Sequence, residues 1–104
     1  MSNDPYVNEG EVFTIPSGTV DRSITSLTGS SQTVMLPEPR RKRIIIKNGA
    51  NPVAININGG TAAIGAANCM TFQAYEGFEF LDPPKGQINI IGTAVSYCNI
   101  YEGL

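Results

Sequence analysis

Three carboxylates, Glu76, Glu79 and Asp82, lie close together in the sequence and are the first candidates for acid-base chemistry. A glycosidase needs two such groups facing each other across a cleft, and a hard cation such as Ca²⁺ needs an oxygen-rich loop. Here a predicted strand separates Glu76 from Asp82, and the chain has no Asp-rich loop with coordination spacing. The pattern therefore favours the rim of a sheet, and we predict no metal site.

Nucleophilic catalysis has little support, because the chain contains no histidine to act as a base or as a metal ligand. No Gly-x-Ser-x-Gly elbow and no Ser-x-x-Lys pair is present. Gly59-Gly60 is followed by Thr61 without the lysine of a phosphate-binding loop. Cys69 has no cationic neighbour in the sequence to lower its pKa. We predict that the protein is not an enzyme and has no cofactor.

The strongest charge feature is the basic segment, Arg40, Arg41, Lys42 and Arg43, with Lys47 shortly after it. The whole chain has a net charge of -2, and outside positions 40–47 only two basic residues stand against the nine acidic residues. This asymmetry fits docking on an acidic protein surface, and it fits equally well a solvated edge where the chain enters a sheet. Nucleic-acid binding is disfavoured, because the net charge is negative and no aromatic residue interleaves with the basic ones.

Length and composition indicate one small β-rich domain: 104 residues, 15% of them charged, with 11 glycines and 7 prolines. No apolar run approaches the roughly 20 residues of a membrane-spanning helix. The first residues lack the basic start and apolar core of a secretory signal, so we expect folding in the cytoplasm.

Residues 1–10 are polar and non-periodic, which predicts an extended N-terminal arm with Tyr6 and Val7 as its only apolar contact points. Residues 11–104 then form a single domain of about eight or nine short strands separated by turns. The predicted fold is all-β, a small antiparallel β-sandwich or jelly roll. The predicted strands are Glu11–Ile15, Thr19–Leu27, Gln32–Leu36, Arg43–Asn48, Val53–Asn58, Met70–Tyr75, Phe78–Leu81, Gln87–Ile91 and Ala94–Tyr101.

For two of these strands the sequence also predicts which residues are buried. Three consecutive β-branched residues in Arg43–Asn48 predict a central strand covered on both faces. The alternation in Val53–Asn58 predicts that Val53, Ile55 and Ile57 face the core while the asparagines face outward. We expect Cys69 and Cys98 to be buried thiols, with a bridge between them the less favoured alternative in a reducing compartment.

The strand and turn residues from Arg41 to Ala63 resemble those of a group of small tailed-bacteriophage virion proteins. The resembling features are the basic apolar strand RKRIIIKN, the Asn51-Pro52 turn, and a second strand that ends in Gly59-Gly60-Thr61-Ala62. The resemblance continues in Phe78-Glu79-Phe80, in Gly86 to Gly92 and in the closing Tyr101-Glu102-Gly103, and covers about two-thirds of the chain.

This resemblance implies a β-sandwich that coats a phage particle, a capsid decoration (cement) protein that binds and stabilises the outer face of the shell. The implied partners are the major capsid protein and neighbouring copies of the chain, with a trimer as the expected oligomer and neither nucleic acid nor membrane. It would be located on the capsid surface of the virion after assembly in the host cytoplasm. In this hypothesis Arg40, Arg41, Lys42 and Arg43 dock on an acidic capsid surface, and Tyr6 and Val7 in the arm reach a neighbour. The alternative is a neck, tail or fibre component, or a module that binds the host surface.

Overall fold

The computed structural model describes residues 18–104. The predicted arm with Tyr6 and Val7, the strand predicted at Glu11–Ile15 and the domain boundary at residue 11 lie outside the described residues. The described part is built entirely of strands and loops, without a helix.

Eight strands form two four-stranded sheets, and every pairing between strands is antiparallel. Sheet A has the order β1-β8-β3-β6, and sheet B has the order β2-β7-β4-β5. The strands are β1 (Thr19–Asp21), β2 (Gln32–Met35), β3 (Arg43–Asn48), β4 (Val53–Asn56), β5 (Cys69–Phe72), β6 (Gly77–Leu81), β7 (Ile88–Gly92) and β8 (Cys98–Gly103).

The pairing is nested around the middle of the chain. β4 pairs with β5, β3 with β6, β2 with β7 and β1 with β8. Successive pairs alternate between the two sheets, and this is the strand order of an eight-stranded jelly roll. The predicted fold class is therefore confirmed.

The core lies between the sheets and is made of one face of each. Ile44 and Ile46 of β3 are buried there, whereas Ile45 between them points outward and is half-buried. β3 does lie inside a sheet, between β8 and β6. The prediction that it is covered on both faces is wrong within residues 18–104, because its outward-facing side chains alternate with the buried ones and are half-buried or exposed.

Sheet B corrects the prediction for Asn56, whereas Asn58 is exposed as predicted. Asn56 and Asn89, paired opposite each other on neighbouring strands, are buried rather than exposed. The loop 57–68 folds over the outer face of this sheet: Asn56 Nδ2 donates to Thr61 O (3.2 Å), and Asn89 Nδ2 donates to Gly60 O (2.7 Å). The loop carbonyls thus give the two buried side-chain amides hydrogen-bond partners.

The strand predicted at Thr19–Leu27 is shorter than expected. The Asp21 carboxylate accepts a hydrogen bond from the Ser23 backbone N–H (2.9 Å), a local bond that turns the chain after β1. The side chain and then the backbone N–H of Ser23 lower the pKa of Asp21. Beyond Asp21 the chain stays beside β8 through the Arg22 N–H to Ile100 O bond (2.8 Å) and an isolated bridge between Ile24 and Cys98.

The two cysteines are free and differ in burial. Cys98 lies in the core, where burial raises its pKa to about 11, so its thiol stays protonated and inert. Cys69 is only half-buried, at the start of edge strand β5, so the prediction of two buried thiols is correct for Cys98 and wrong for Cys69.

Candidate functional site

The structure divides the basic segment into one buried residue and three accessible ones. Arg41 has a relative exposure of 0% and points into the fold. Its Nε donates to Glu102 Oε2 (2.6 Å), its Nη1 to the carbonyls of Pro84 (2.7 Å) and Gly86 (2.8 Å), and its Nη2 to the carbonyl of Leu36 (2.7 Å). One guanidinium thus joins β8 to the loops that precede β3 and follow β6.

The placement of Arg41 among the docking residues is therefore corrected, since its side chain has no surface with which to contact a partner. Its counter-charge, Glu102, is only 1% exposed and also accepts a hydrogen bond from Arg22 Nε at 3.0 Å. The Glu102 carboxylate lies between the guanidiniums of Arg22 and Arg41, so it compensates the buried positive charge of Arg41. Arg41 is a structural residue.

Arg40, Lys42 and Arg43 remain accessible at the surface, and two of them already have acidic partners. Arg40 Nε donates to Glu38 Oε2 (3.0 Å), and this side-chain bond is the main reason why the pKa of Glu38 is lowered. Arg43 pairs across the sheet with Glu79 on β6. Lys42 is exposed and forms no ion pair with any of the residues 18–104. An acidic partner could therefore pair with Lys42 directly. To pair with Arg40 or Arg43, it would have to replace Glu38 or Glu79.

The three carboxylates considered for acid-base chemistry do not converge on a cleft. Glu76 accepts from the Gln73 backbone N–H (2.7 Å), Glu79 pairs with Arg43, and Asp82 pairs with Lys85 (3.1 Å). Within the described range no group of three or more potential metal ligands is found. Each of the three carboxylates therefore binds its own neighbouring group, and the three do not form a common site.

An open groove of about 490 Å³ lies beside edge strand β2. Its polar groups are bonded to one another: Gln87 Nε2 donates to Thr33 Oγ1 (3.1 Å) and to Asn89 Oδ1 (3.0 Å). The groove holds no charged side chain and no cysteine; its lining is Ser31, Gln32, Thr33, Gly59, Gly60, Thr61, Gln87 and Asn89.

At one end of the sandwich the loops 22–31, 48–52, 73–76 and 93–97 come together; we call this the tyrosine end. The backbone N–H of Val95 donates to Leu27 O, and that of Tyr75 donates to Gly49 O, both at 2.8 Å. The ring and carbonyl of Tyr97 lie so close over Gly49 that a Cβ there would stand 2.7 Å from them. Glycine is required at that contact.

Three apolar side chains are exposed at the tyrosine end: Tyr75 at 59%, Val95 at 80% and Tyr97 at 43%. Tyr75 and Val95 also have positive φ angles, 62° and 58°. Each is the third residue of a tight turn, closed by Glu76 N–H to Gln73 O (3.2 Å) and by Ser96 N–H to Thr93 O (3.1 Å). Glycine or asparagine is favoured there, and a β-branched or bulky residue is an outlier.

A third turn has asparagine, one of the two favoured residues, at this position. Asn68, with φ 65°, occupies the same position in the turn closed by Cys69 N–H to Ala66 O (3.3 Å). Asparagine tolerates this conformation, whereas the backbone at Tyr75 and Val95 costs about 1–3 kcal/mol each. The tyrosine end therefore displays apolar side chains from strained positions.

Sequence reasoning missed this surface. Tyr75 and Val95 were assigned to the predicted strands Met70–Tyr75 and Ala94–Tyr101, because aromatic and β-branched residues favour strands. The available signal is that Tyr75 stands two residues and Val95 three residues before a strand, each next to a small residue, Ala74 or Ala94, which is weak evidence for a turn.

In the described part of the chain no helix is long and apolar enough to cross a membrane. Comparison with protein-family models, with curated proteins and with solved structures gave no match.

Proposed function

We propose that this protein is a structural component of a bacteriophage virion, a capsid decoration protein that binds the outer face of the shell and stabilises it. The observation that carries the proposal is the nested eight-stranded jelly roll, an architecture that recurs in viral capsid domains. Because one fold hosts many functions, the choice of function rests on the resemblance of residues 38–103 to virion proteins. This range contains the strands β3 to β8 and the loops that connect them.

The chemistry of the surface is compatible with this function. A decoration protein needs only moderate affinity for each site, since a shell offers many identical sites. The accessible residues of the basic segment, Arg40, Lys42 and Arg43, supply a docking contact for an acidic shell surface. The major capsid protein is then the partner.

Copy number tests the proposal. We expect quantitative mass spectrometry of purified particles that carry this protein to give a simple ratio to the major capsid protein, at or below one. A lattice-bound protein must follow the number of lattice sites. A handful of copies per particle would contradict decoration and favour the neck, tail, fibre or host-binding alternative, and its absence from particles would contradict every virion function.

Charge reversal tests the docking surface. We expect Arg40→Glu/Lys42→Glu to weaken binding to undecorated shells by about 5- to 30-fold at low salt, which corresponds to roughly 1–2 kcal/mol. Binding of the unmodified protein should weaken as salt rises, because exposed charges are screened. Cosedimentation at several salt concentrations measures both effects.

The matched pair of single variants is Lys42→Glu and Lys47→Glu, which change the charge equally at exposed lysines near the two ends of β3. Lys42→Glu should weaken binding, and Lys47→Glu should leave it close to that of the unmodified protein. Equal losses for these two single variants would show that net charge, and not the basic segment, governs binding.

A further inference from the structure

Two asparagines of the chain, Asn48 and Asn58, are followed directly by glycine. Asparagine is a thermolabile residue, because the backbone nitrogen of the next residue can attack its side-chain carbonyl carbon. Glycine in the next position favours this attack, since it has no Cβ to hinder the approach and its backbone adopts many conformations. The sequence therefore contains two equivalent sites for deamidation, and the structure makes them different.

Asn58 is the accessible site. It is exposed, two residues after the end of β4, and its side-chain amide forms no hydrogen bond with any of the residues 18–104. The backbone N–H of Gly59 also has no acceptor within this range, and Gly59 is exposed with a φ of 85°. The attacking nitrogen, the carbonyl carbon and the solvent are therefore together at this turn.

Asn48 is protected by the contacts that hold its side chain. It is only 2% exposed, and its Nδ2, the leaving group of the reaction, donates to Asn51 O (2.8 Å) and Gln73 O (2.9 Å). The attacking nitrogen would be that of Gly49, which is buried and donates to Asn48 Oδ1 (2.8 Å). Since water must reach these groups and the amide must leave its partners, Asn48 reacts only after local opening of the structure.

We propose that Asn58 is a site of spontaneous deamidation in the folded protein, and that Asn48 is not. Hydroxide removes the proton of the Gly59 backbone nitrogen, which forms a bond to Asn58 Cγ. The bond from Cγ to Nδ2 breaks, and Nδ2 takes a proton from water and leaves as ammonia. A water molecule then opens the cyclic imide at either of its carbonyls and leaves aspartate or isoaspartate at position 58. The overall reaction consumes one water and releases one ammonia.

The product changes the charge beside the groove next to β2. Gly59 and Gly60 line this groove, whose lining contains no charged side chain. Either product adds a carboxylate one residue away from this lining. Isoaspartate also lengthens the main chain between Asn56 and Gly60, where Asn56 Oδ1 accepts from the Gly60 N–H (3.3 Å). The modification therefore adds a negative charge to the rim of a neutral groove as the protein ages.

The test ages the purified full-length protein at mildly alkaline pH, where hydroxide accelerates the first step. Electron-transfer fragmentation of the digested protein assigns the modified position and distinguishes aspartate from isoaspartate. We expect the modified fraction at Asn58 to grow at least about tenfold faster than that at Asn48, because Asn48 requires local opening. In guanidinium chloride both positions should react at similar rates, since the unfolded chain exposes both.

Two controls make the test specific. Asn51 is exposed but precedes Pro52, whose nitrogen carries no hydrogen, so it should stay unmodified. Asn58→Gln has a longer side chain that would need a larger ring, so it should lack the main acidic species that ion-exchange chromatography separates from the aged protein.

Equal rates at Asn58 and Asn48 in the folded protein overturn the proposal. So does an Asn58 that stays intact in the folded protein while the unfolded chain reacts. Modification of Asn51 as fast as Asn58 would indicate direct hydrolysis in place of attack by the Gly59 nitrogen, and would also overturn it. The measurement needs no phage particle, so its outcome is separate from the copy-number test of the proposed function.

Discussion

Replacement of Arg41 by alanine is expected to lower the free energy of unfolding by about 3–5 kcal/mol, the usual cost of breaking a buried ion pair. The variant leaves Glu102 buried with only Arg22 as its counter-charge. It also removes the donors for the carbonyls of Leu36, Pro84 and Gly86. The total free energy of unfolding of a domain of this size is roughly 5–15 kcal/mol, so the loss removes much of its stability.

Urea denaturation of the purified variant measures the loss. Arg40→Ala is the matched control, because the Arg40 guanidinium is exposed and, among the described residues, bonds to Glu38 alone. We expect Arg40→Ala to change the free energy of unfolding by no more than about 0.5 kcal/mol. Arg41→Met/Glu102→Leu should recover a large part of the stability, since an apolar pair leaves no buried charge without a partner. A small effect of Arg41→Ala, equal to that of Arg40→Ala, would refute the structural role of Arg41.

Replacement of Asn48 by alanine is expected to lower the free energy of unfolding by about 2–3 kcal/mol. Asn48 is buried at the end of β3, and its Nδ2 lies within hydrogen-bond distance of the carbonyls of Asn51 (2.8 Å), Gln73 (2.9 Å) and Phe72 (3.2 Å). Its Oδ1 accepts from the Gly49 backbone N–H (2.8 Å). Alanine would remove the acceptor of the buried Gly49 N–H and the amide that donates to these three carbonyls.

Asn51→Ala provides the control for Asn48, because Asn51 is exposed and contributes its backbone carbonyl, not its side chain. Its stability should remain close to that of the unmodified protein. Thermal unfolding followed by circular dichroism compares the two variants, and equal midpoints would contradict the role assigned to Asn48.

The regular part of the fold follows from local sequence patterns. β3 was predicted with the bounds that the structure shows, and the turns rich in glycine, asparagine and proline separate the strands as expected. The register and the jelly-roll order could not be derived, because they depend on pairs as distant as β1 and β8.

The buried Arg41 was missed because the basic segment looks uniformly solvent-exposed in sequence. The useful signal lies in β8, where Cys98, Ile100 and Glu102 alternate on the inward face. An acid at an inward position calls for a buried cation, but the sequence does not say which of the seven basic residues supplies it.

The nested pairing also determines when folding can finish during synthesis. β8 lies between β1 and β3, so sheet A remains split until residues 98–103 have left the ribosome, and Arg41 lacks Glu102 until then. Pairing between distant strands is slow, on the order of milliseconds to seconds. The nascent chain therefore exposes the unpaired edges of β1 and β3 until β8 is synthesised, whereas the strands of sheet B and of the β3–β6 pair are all available earlier.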